Sequence, residues 1–495
     1  MKKRLIEQIE NMNFSDIFLE DVKRSHPYTY GQFFYECSCL CEILDSESKC
    51  NSIVAILEND VLLVKMYFVA LMSKRTIYVI DPQKAETEIN EILEQIPQSF
   101  LIKENDVIVH RKDFFDISEE TRKISSETVL SKDNIKELVL EKLKERDFDD
   151  CYLVTYTSGT TGVSKGVKHT FNNLLGTAYA LQEKVQAPKR NVFLHVMPMT
   201  YMAGILNSIF YPFIAELKIV VAERFSVKTA ISFWNIVELN QITVFWLSPA
   251  MLMMIEQVDR KTIGETYCNE HEMFFLIGTA ALTDSMREKF EKRYKVPLYA
   301  SYGLSETLFI SIETKKSRSA TSQNNVGELL TGVEYQIIDG EMLLNVPWMF
   351  LGYTNTDTEE YFEGVYYKSG DLVDIKDGVL FITGRKKDLI VRGGMNISPA
   401  RIEKIVNADE RIVECAIVGV KNKFDEEQVC CVYVPASKDI DVNAVETSTN
   451  KTIINQLGKN YRVDIFFSVN SLPRNINGKI DKEKIKVLVG EINDN

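Results

Sequence analysis

The chain has 495 residues, 45% of them hydrophobic and 26% charged, with a formal net charge of -13. That length exceeds what one core supports and provides for two or three domains. The acidic balance argues against a broad nucleic-acid or anionic-membrane surface, so basic residues that converge locally carry more meaning than they would in a basic protein.

The nine cysteines are scattered, odd in number and without a CxxC pair, which indicates reduced thiols in a cytoplasmic setting rather than a disulfide framework. Cys37, Cys39 and Cys41 cluster without a neighbouring histidine or fourth ligand, and buried helix thiols account for them. The N-terminus MKKRLIEQIENMNF has basic residues but not the apolar stretch of a signal peptide. Asn191 to Ala215 runs 25 residues without a formal charge, yet His195, Pro198, Asn207, Ser208 and Pro212 interrupt it. Buried strand, loop and helix are expected there, not a membrane span.

In chain order, short β-branched or aromatic runs alternate with longer helical patterns: NSIVAILEN, LLVKMYFVALMSK, TIYVIDP; then CYLVTYTS, FNNLLGTAYALQEKV, NVFLHVMP; then ITVFWLSP, MLMMIEQV, EMFFLIGT, DSMREKFEKRY. Strand followed by helix, repeated, predicts an α/β class of parallel sheets with helices on both faces and ligand loops at the carboxyl ends of strands. After about residue 315 the texture changes to short strands and glycine turns, VEYQIIDGEMLLNV, GVYYKSGDLVDI and KDGVLFITG, which predicts a β-rich subdomain over about 315–384. Strands and helices then mix again. The natural cut is Gly384–Arg385–Lys386–Lys387–Asp388, giving domains 1–384 and 385–495. No internal repeat and no low-complexity segment is present.

Five stretches carry chemistry. Tyr156 to Val167 reads YTSGTTGVSKGV, directly after the strand CYLV. Hydroxyls on Thr157, Ser158, Thr160, Thr161 and Ser164, the bare backbone of Gly159, Gly162 and Gly166, and the ammonium of Lys165 suit phosphate oxygens. A hydroxyl-rich surface turn has the same composition. A Walker loop does not fit, because Ser164, not glycine, precedes Lys165. ASYGLSET, Ala300 to Thr307, follows the strand PLYAS and is expected to place Tyr302, Gly303, Ser305 and Glu306 on one turn. Tyr302 can stack on a base and Glu306 can hold Mg²⁺ beside phosphates, although a solvated glutamate is the plainer reading of that motif alone. In YYKSGDLVDI, Asp371 follows a glycine turn and can accept from vicinal ribose hydroxyls, or serve as an ordinary turn residue. In ITGRKKDLIVRGGMNISPARIE, Arg385 can reach a ribose or phosphate, Gly393 and Gly394 permit close approach of a thin ligand, and Pro399 opens a helix. LPRNINGKIDKEKIK presents Lys479 on a glycine turn, with Lys482, Lys484 and Lys486 as a solvated face.

Taken together, the order and intervals of these five motifs resemble the adenylate-forming superfamily of acyl-CoA synthetases, peptide-synthetase adenylation domains and luciferases, over residues from about 28 (YTYGQFF) to 481. The acyl-CoA synthetases look nearest. The resemblance implies a large N-terminal domain with two α/β sheets and a β-rich subdomain, hinged to a small mobile C-terminal α+β domain. It implies an AMP-forming acid–thiol ligase that uses ATP and Mg²⁺ to convert a small-molecule carboxylic acid to acyl-AMP with release of pyrophosphate. The acyl group then passes to the pantetheine thiol of CoA or, alternatively, of a carrier protein; fatty acid metabolism is one setting. A non-catalytic nucleotide-binding protein on the same scaffold is the remaining alternative.

Residue by residue, the resemblance implies that Thr157, Ser158, Gly159, Thr160, Thr161, Gly162 and Lys165 cradle the β- and γ-phosphates, with Tyr302 against adenine and Gly303 and Ser305 also binding the nucleotide. It places Glu306 on Mg²⁺, Asp371 and Arg385 at the ribose, Lys387 at the hinge, Gly393 and Gly394 at a pantetheine tunnel, and Lys479 over the carboxylate and α-phosphate. Lys479, Glu306 and Thr161 are the catalytic candidates. Tyr201, Gly204, Gly278, Thr279 and Ala280 are expected to line the acyl pocket, which suits a fatty, aromatic or short hydroxylated acid. Asn191 to Ala215 contains no acidic residue to pair with an α-ammonium, so an amino acid is disfavoured. The chain departs from the family pattern at Ser164 (usually proline), Tyr201 (often histidine), Ser305 (commonly threonine) and Arg401 (an acid). TDSM, Thr283 to Met286, is read as an ordinary helix start rather than a carrier serine motif.

Overall fold

The computed structural model describes residues 1–47, 50–97, 99–103, 107–110, 113–116, 132–157, 164–189, 191–318, 324–392, 394–421, 427–437, 440–474 and 479–493. Two large sheets dominate. In one, the strands Ile17–Asp21, Lys218–Val221, Val192–His195, Val244–Leu247, Phe274–Ile277 and Leu298–Leu304 lie side by side in parallel. Their sequences are near-continuous apolar runs because helices cover both faces; every residue of VFWL is buried. In the other, Cys151–Thr157, Thr76–Val79, Ser52–Ile56 and Phe100–Lys103 form the parallel centre.

The predicted alternation of strand and helix is present at each named run. Helix starts follow from capping: Thr170 and Asn173 form a reciprocal box before Phe171–Val185, and Ser248 caps Pro249–Val258. Thr283 caps Asp284–Tyr294 through Met286 N–H, which makes TDSM the helix start expected from sequence. The β-rich stretch is not a third sheet. Its strands Asn325–Leu329, Val379–Arg385, Tyr366–Lys376, Glu341–Asn345 and Glu334–Ile338 continue the first large sheet antiparallel through Leu308–Ile312, because the hairpin after Leu304 hands the ladder on without a break.

Asn191–Ala215 resolves into the strand Val192–His195, short helical turns Met202–Ile205 and Tyr211–Ile214, and a π-helical turn between them, almost wholly buried. Among the described residues no helix is long and apolar enough to cross a membrane. Cys37 and Cys41 are buried, their thiols directed at the Lys65 and Val69 carbonyls, and burial pushes the Cys41 thiol up to about 12. Cys39 is half-buried, and among the described residues no cluster of metal-ligating side chains occurs.

Loops of the two sheets are tied across the core. Asn59 donates to the Met197 carbonyl (2.8 Å) and accepts from Met199 N–H (2.9 Å), while Tyr67 donates to the Met199 carbonyl (2.6 Å). Arg224 engages both oxygens of buried Asp81 at 3.0 Å. After Gly384 the chain forms the hairpin Ile390–Arg392 and Met395–Ile397, then a three-stranded sheet of Ile412–Lys421, Glu427–Pro435 and Ile465–Ser468 packed by helices Pro399–Asn407, Val442–Leu457 and Lys482–Asn493. Ser398 Oγ donates back to the Thr383 carbonyl at 3.0 Å.

His169 and His195 are fully buried, each donating Nε2–H to a carbonyl, of Ser305 (2.7 Å) and Gly204 (2.9 Å). Burial lowers both to about 4. The unfolded chain therefore takes up protons that the folded chain refuses, so the stability they allow is complete above about pH 6.5 and is lost as pH falls toward 4. The loss is about 3 kcal/mol per histidine at most. Urea unfolding from pH 7 to 4.5 should show His169→Gln and His195→Gln each with a shallower decline than the parent.

Candidate active site

The hydroxyl loop is a hairpin connection. Strands Cys151–Thr157 and Lys165–Thr170 run antiparallel with Thr157 opposite Lys165, so the two ends of the loop face each other. Ser158, Gly159, Thr160, Thr161 and Gly162 lie outside the described residues. Lys165 points into an aromatic corner: Nζ donates to the Tyr361 hydroxyl and stands 4.7 Å and 5.4 Å from the Tyr361 and Tyr353 ring centres. Ser164, in the place of the family's usual proline, is buried and donates to Glu88 Oε1 while accepting from Lys84 Nζ (3.1 Å). Burial would raise the Glu88 carboxyl, but the hydrogen bonds from Lys84 and Ser164 outweigh it and hold it below its ordinary value.

Tyr302 and Gly303 do not lie on a turn as expected. The strand Leu298–Leu304 runs through them, because Gly303 and Leu304 pair with Phe309 and Leu308 in a hairpin that needs only residues 305–307 to reverse. Two ties fix the reversal: His169 to the Ser305 carbonyl, and Phe350 N–H to the Glu306 carbonyl at 3.0 Å. Glu306 Oε1 then accepts from the Tyr353 hydroxyl at 2.8 Å, and Tyr353 contacts the Tyr367 hydroxyl at 3.2 Å. Burial raises the Glu306 carboxyl, opposed by the Tyr353 hydrogen bond and by the charges of Arg385 and Lys165.

The two-residue strand Gly352–Tyr353 pairs with Lys168 and Val167, joining the edge of the second sheet to the region of Glu306. Lys165 and Glu306 thus belong to different sheets and meet through one tyrosine. Beside them, Asp371 is buried and its two oxygens accept from Tyr302 Oη (2.7 Å) and Arg385 Nε (2.8 Å). Burial together with the Asp371 charge raises the Tyr302 phenol, while Asp371 holds the Arg385 guanidinium up against its own burial. A cleft of about 460 Å³ opens here, lined by Leu304, Glu306, Tyr367, Ser369, Gly370, Arg385, Lys386 and Lys387.

Tyr302, Glu306, Asp371, Arg385 and Lys165 are therefore brought together, and Lys387 borders the same cleft from a short 3₁₀ turn, Lys386–Asp388. Lys479 stands beside the Arg474–Ile480 bridge and is not among the residues lining the cleft. Gly394 lies in the tight hairpin turn before Met395, and Gly393 is outside the described residues. Gly278, Thr279 and Ala280 follow strand Phe274–Ile277, and Tyr201 and Gly204 follow Val192–His195; these strands flank Val244–Leu247, so both loops emerge at one end of the sheet. Gly204 has a packing reason as well: a Cβ there would meet the Pro198 carbonyl oxygen at 1.9 Å. Arg401 packs its guanidinium over the Tyr461 ring and donates to that hydroxyl at 2.9 Å, which accounts for the cation in the place of an acid.

Sequence reasoning missed Tyr353, Tyr361, Lys84 and Glu88. The signal available for the tyrosines was FLGYTN and TEEYF, aromatic residues between glycine turns, which periodicity reads as short strand.

Comparison with known proteins comes to the same region. Residues 8–354 match the model of the AMP-binding enzyme family and residues 401–479 that of the AMP-binding enzyme C-terminal domain. A malonate–CoA ligase of Arabidopsis thaliana is 27% identical over 370 residues, 68% of this chain and 60% of that ligase's length. A 2-succinylbenzoate–CoA ligase of Oceanobacillus iheyensis is 25% identical over 430 residues, 84% of this chain and 83% of the relative. Among solved structures, ATP-bound MatB from Rhodopseudomonas palustris superposes with TM-score 0.83 at 20% identity, covering 99% of this chain and 100% of that one. The o-succinylbenzoate CoA synthetase MenE from Bacillus subtilis with its acyl-adenylate gives 0.76 at 21% identity, covering 97% of each. These structures share the fold of a large multi-sheet α/β unit and a small C-terminal unit. The match to the family model over residues 8–354 establishes that the chain belongs to the AMP-binding enzyme family.

Proposed function

We propose that this protein is an ATP-dependent acid–thiol ligase, which converts a carboxylic acid to acyl-AMP with release of pyrophosphate and then passes the acyl group to the thiol of CoA. The observation that carries it is a cleft lined by Glu306 and Arg385, with Asp371 bound to Arg385 and Lys165 meeting Glu306 through Tyr353. Ligand names of the relatives, CoA ligases for malonate and 2-succinylbenzoate, support the reaction class.

The chemistry follows from charge. A carboxylate must attack the α-phosphorus while pyrophosphate departs, so cations and donors are needed where negative charge meets and grows. In this proposal Lys165 and the hydroxyl loop, Thr157 to Gly162 with Thr161 as catalytic donor, take the departing phosphates. Tyr302, Gly303 and Ser305 flank the adenine, and Asp371 with Arg385 orients the ribose. Glu306 fits Mg²⁺: its carboxylate is half-buried, one oxygen is fixed by Tyr353, and that ion characteristically uses one carboxylate plus phosphate oxygens. Bound there, the ion supplies neutralising charge to the phosphates.

Lys479 closes over the reacting groups when the unit after residue 384 turns about Lys387. The same unit, turned the other way, withdraws Lys479 and presents Gly393 and Gly394 to the pantetheine arm. CoA is the proposed acceptor, and a product assay with CoA against apo-carrier protein separates the two thiols.

Acid-dependent exchange of ³²P-pyrophosphate into ATP across a panel of acids tests the reading, which falls if no acid supports exchange. Lys479→Ala should slow adenylate formation about 10²–10³-fold. It should slow thioester formation from supplied acyl-adenylate far less, and equal losses in the two half-reactions would contradict the rotation. Tyr353→Phe removes a hydrogen bond to a charged group, worth about 10–100-fold. It should raise the Mg²⁺ concentration giving half-maximal exchange by that factor, and weaken Mn²⁺ binding followed by paramagnetic relaxation in the presence of ATP.

A further inference from the structure

Beside the cleft stands a buried carboxylate that the proposed chemistry does not use. Glu341 begins the strand Glu341–Asn345 and is 5% exposed. The neighbouring strand Tyr366–Lys376 bulges there: Glu341 pairs with Leu372 but Leu343 with Lys368, so Ser369, Gly370 and Asp371 stand opposite Met342 alone. Bulges re-aim side chains next to sites, and this one carries the carboxylate that meets Tyr302 and Arg385.

A bulge frees backbone donors from the ladder, and these are taken by side chains. Gly370 holds a left-handed backbone (φ 72°), and its N–H donates to Glu341 Oε1 at 3.0 Å. Asp371 N–H donates to Ser369 Oγ at 3.1 Å, and that hydroxyl donates to the Met342 carbonyl at 2.5 Å. The second oxygen of Glu341, Oε2, accepts from Lys386 Nζ at 2.7 Å. Lys386 opens the 3₁₀ turn Lys386–Asp388, through which the chain leaves the large sheet for the C-terminal unit. Ser369, Gly370, Arg385 and Lys386 all line the cleft, so Glu341 ties two segments of its lining to each other.

Satisfying Gly370 needs only an oxygen, which a glutamine would also supply. The charge serves Lys386. Exposed ion pairs contribute little, but here only the lysine is exposed, its side chain 59% against 7% for Glu341. If Lys386 moves away, the buried carboxylate loses that counter-ion and either stays charged at a cost or takes up a proton, which weakens it as an acceptor for Gly370. Movement of the turn at Lys386 is therefore felt at the bulge, and the converse holds because coupled equilibria are reciprocal.

Resting on the ligase reading above, we infer that Glu341 is a positioning residue that couples the Asp371 bulge to Lys386, so that ATP binding beside Asp371 and docking of Lys386 at the head of the C-terminal unit reinforce one another.

Full-length Glu341→Gln, Lys386→Met, Lys386→Arg and the double variant Glu341→Gln/Lys386→Met test this, with ATP affinity read by calorimetry and backbone amide exchange over 366–376 by mass spectrometry. Lys386→Met should speed exchange at 369–371 about 10-fold, although the link to those residues runs through Glu341. Glu341→Gln and Lys386→Met should each weaken ATP binding by about the same factor, and Lys386→Arg should restore both readouts. The double variant should be no weaker than the weaker single, because both substitutions remove one coupling. Losses that multiply in the double variant would mean that Lys386 meets the phosphates directly, and would overturn the inference. So would an affinity that neither single variant lowers, or exchange unchanged in Lys386→Met whatever the affinity. Circular dichroism checks each fold, and the two variants of exposed Lys386 decide the matter if the Glu341 variant fails to fold. A parent that binds no ATP would overturn the ligase reading instead. Exchange alone then judges the coupling: faster in Lys386→Met and restored in Lys386→Arg supports it, and no change or no restoration overturns it.

Discussion

Everything at the candidate site depends on one carboxylate held partly out of water. Burial raises the Glu306 carboxyl, and the Tyr353 hydroxyl with the fields of Arg385 and Lys165 works against that rise. A buried charge of this kind persists only if hydrogen-bonded and faced by opposite charge. The surrounding architecture supplies each of those in turn: a hairpin reversal pinned by His169 and Phe350, and an aromatic corner that aims Lys165. The cleft is thus walled by the first large sheet, and the second sheet reaches it through Lys165 and Tyr353.

The same logic explains the polar pairs that lie further out. Asn59, Tyr67 and Arg224 fasten loops of one sheet to loops of the other by fully formed hydrogen bonds in the core. Such ties fix the relative height of the strand ends of the two sheets. Ser164 adds a local version, with a hydroxyl anchored to Lys84 and Glu88 where proline would have supplied only a stiff backbone.

The strands were legible because buried parallel strands write themselves as short apolar runs, and the helices because Thr170, Ser248 and Thr283 mark their starts. Glu306 and Arg385, singled out in the sequence, both line the cleft, and Asp371 is bound to Arg385. Their company was not legible. Tyr353 meets Glu306 from 47 positions away, and Lys165 meets Tyr361 from 196, so no local periodicity records either contact. The strand through Tyr302 was cut short in the sequence reading because glycine at 303 reads as a turn, whereas hairpin pairing carries the ladder across a bulge. The extension of the large sheet through the β-rich stretch was hidden for the same reason: register between distant strands is set by pairing, not by composition.

The pairing of Gly352 and Tyr353 with Val167 and Lys168 is a seam of two residues between structures that otherwise fold around separate strand ladders. Leu351 and Thr354 lengthen it by one backbone bond at each end, to the Lys168 and Gly166 carbonyls at 2.8 and 2.9 Å. Displacing it by one residue would turn the tyrosine to the opposite face and part the ammonium from the carboxylate, with both ladders left whole. Damage at 352 or 353 would then act like the loss of a candidate-site side chain in an otherwise undisturbed molecule, because the spacing of Lys165 from Glu306 is set across this stitch.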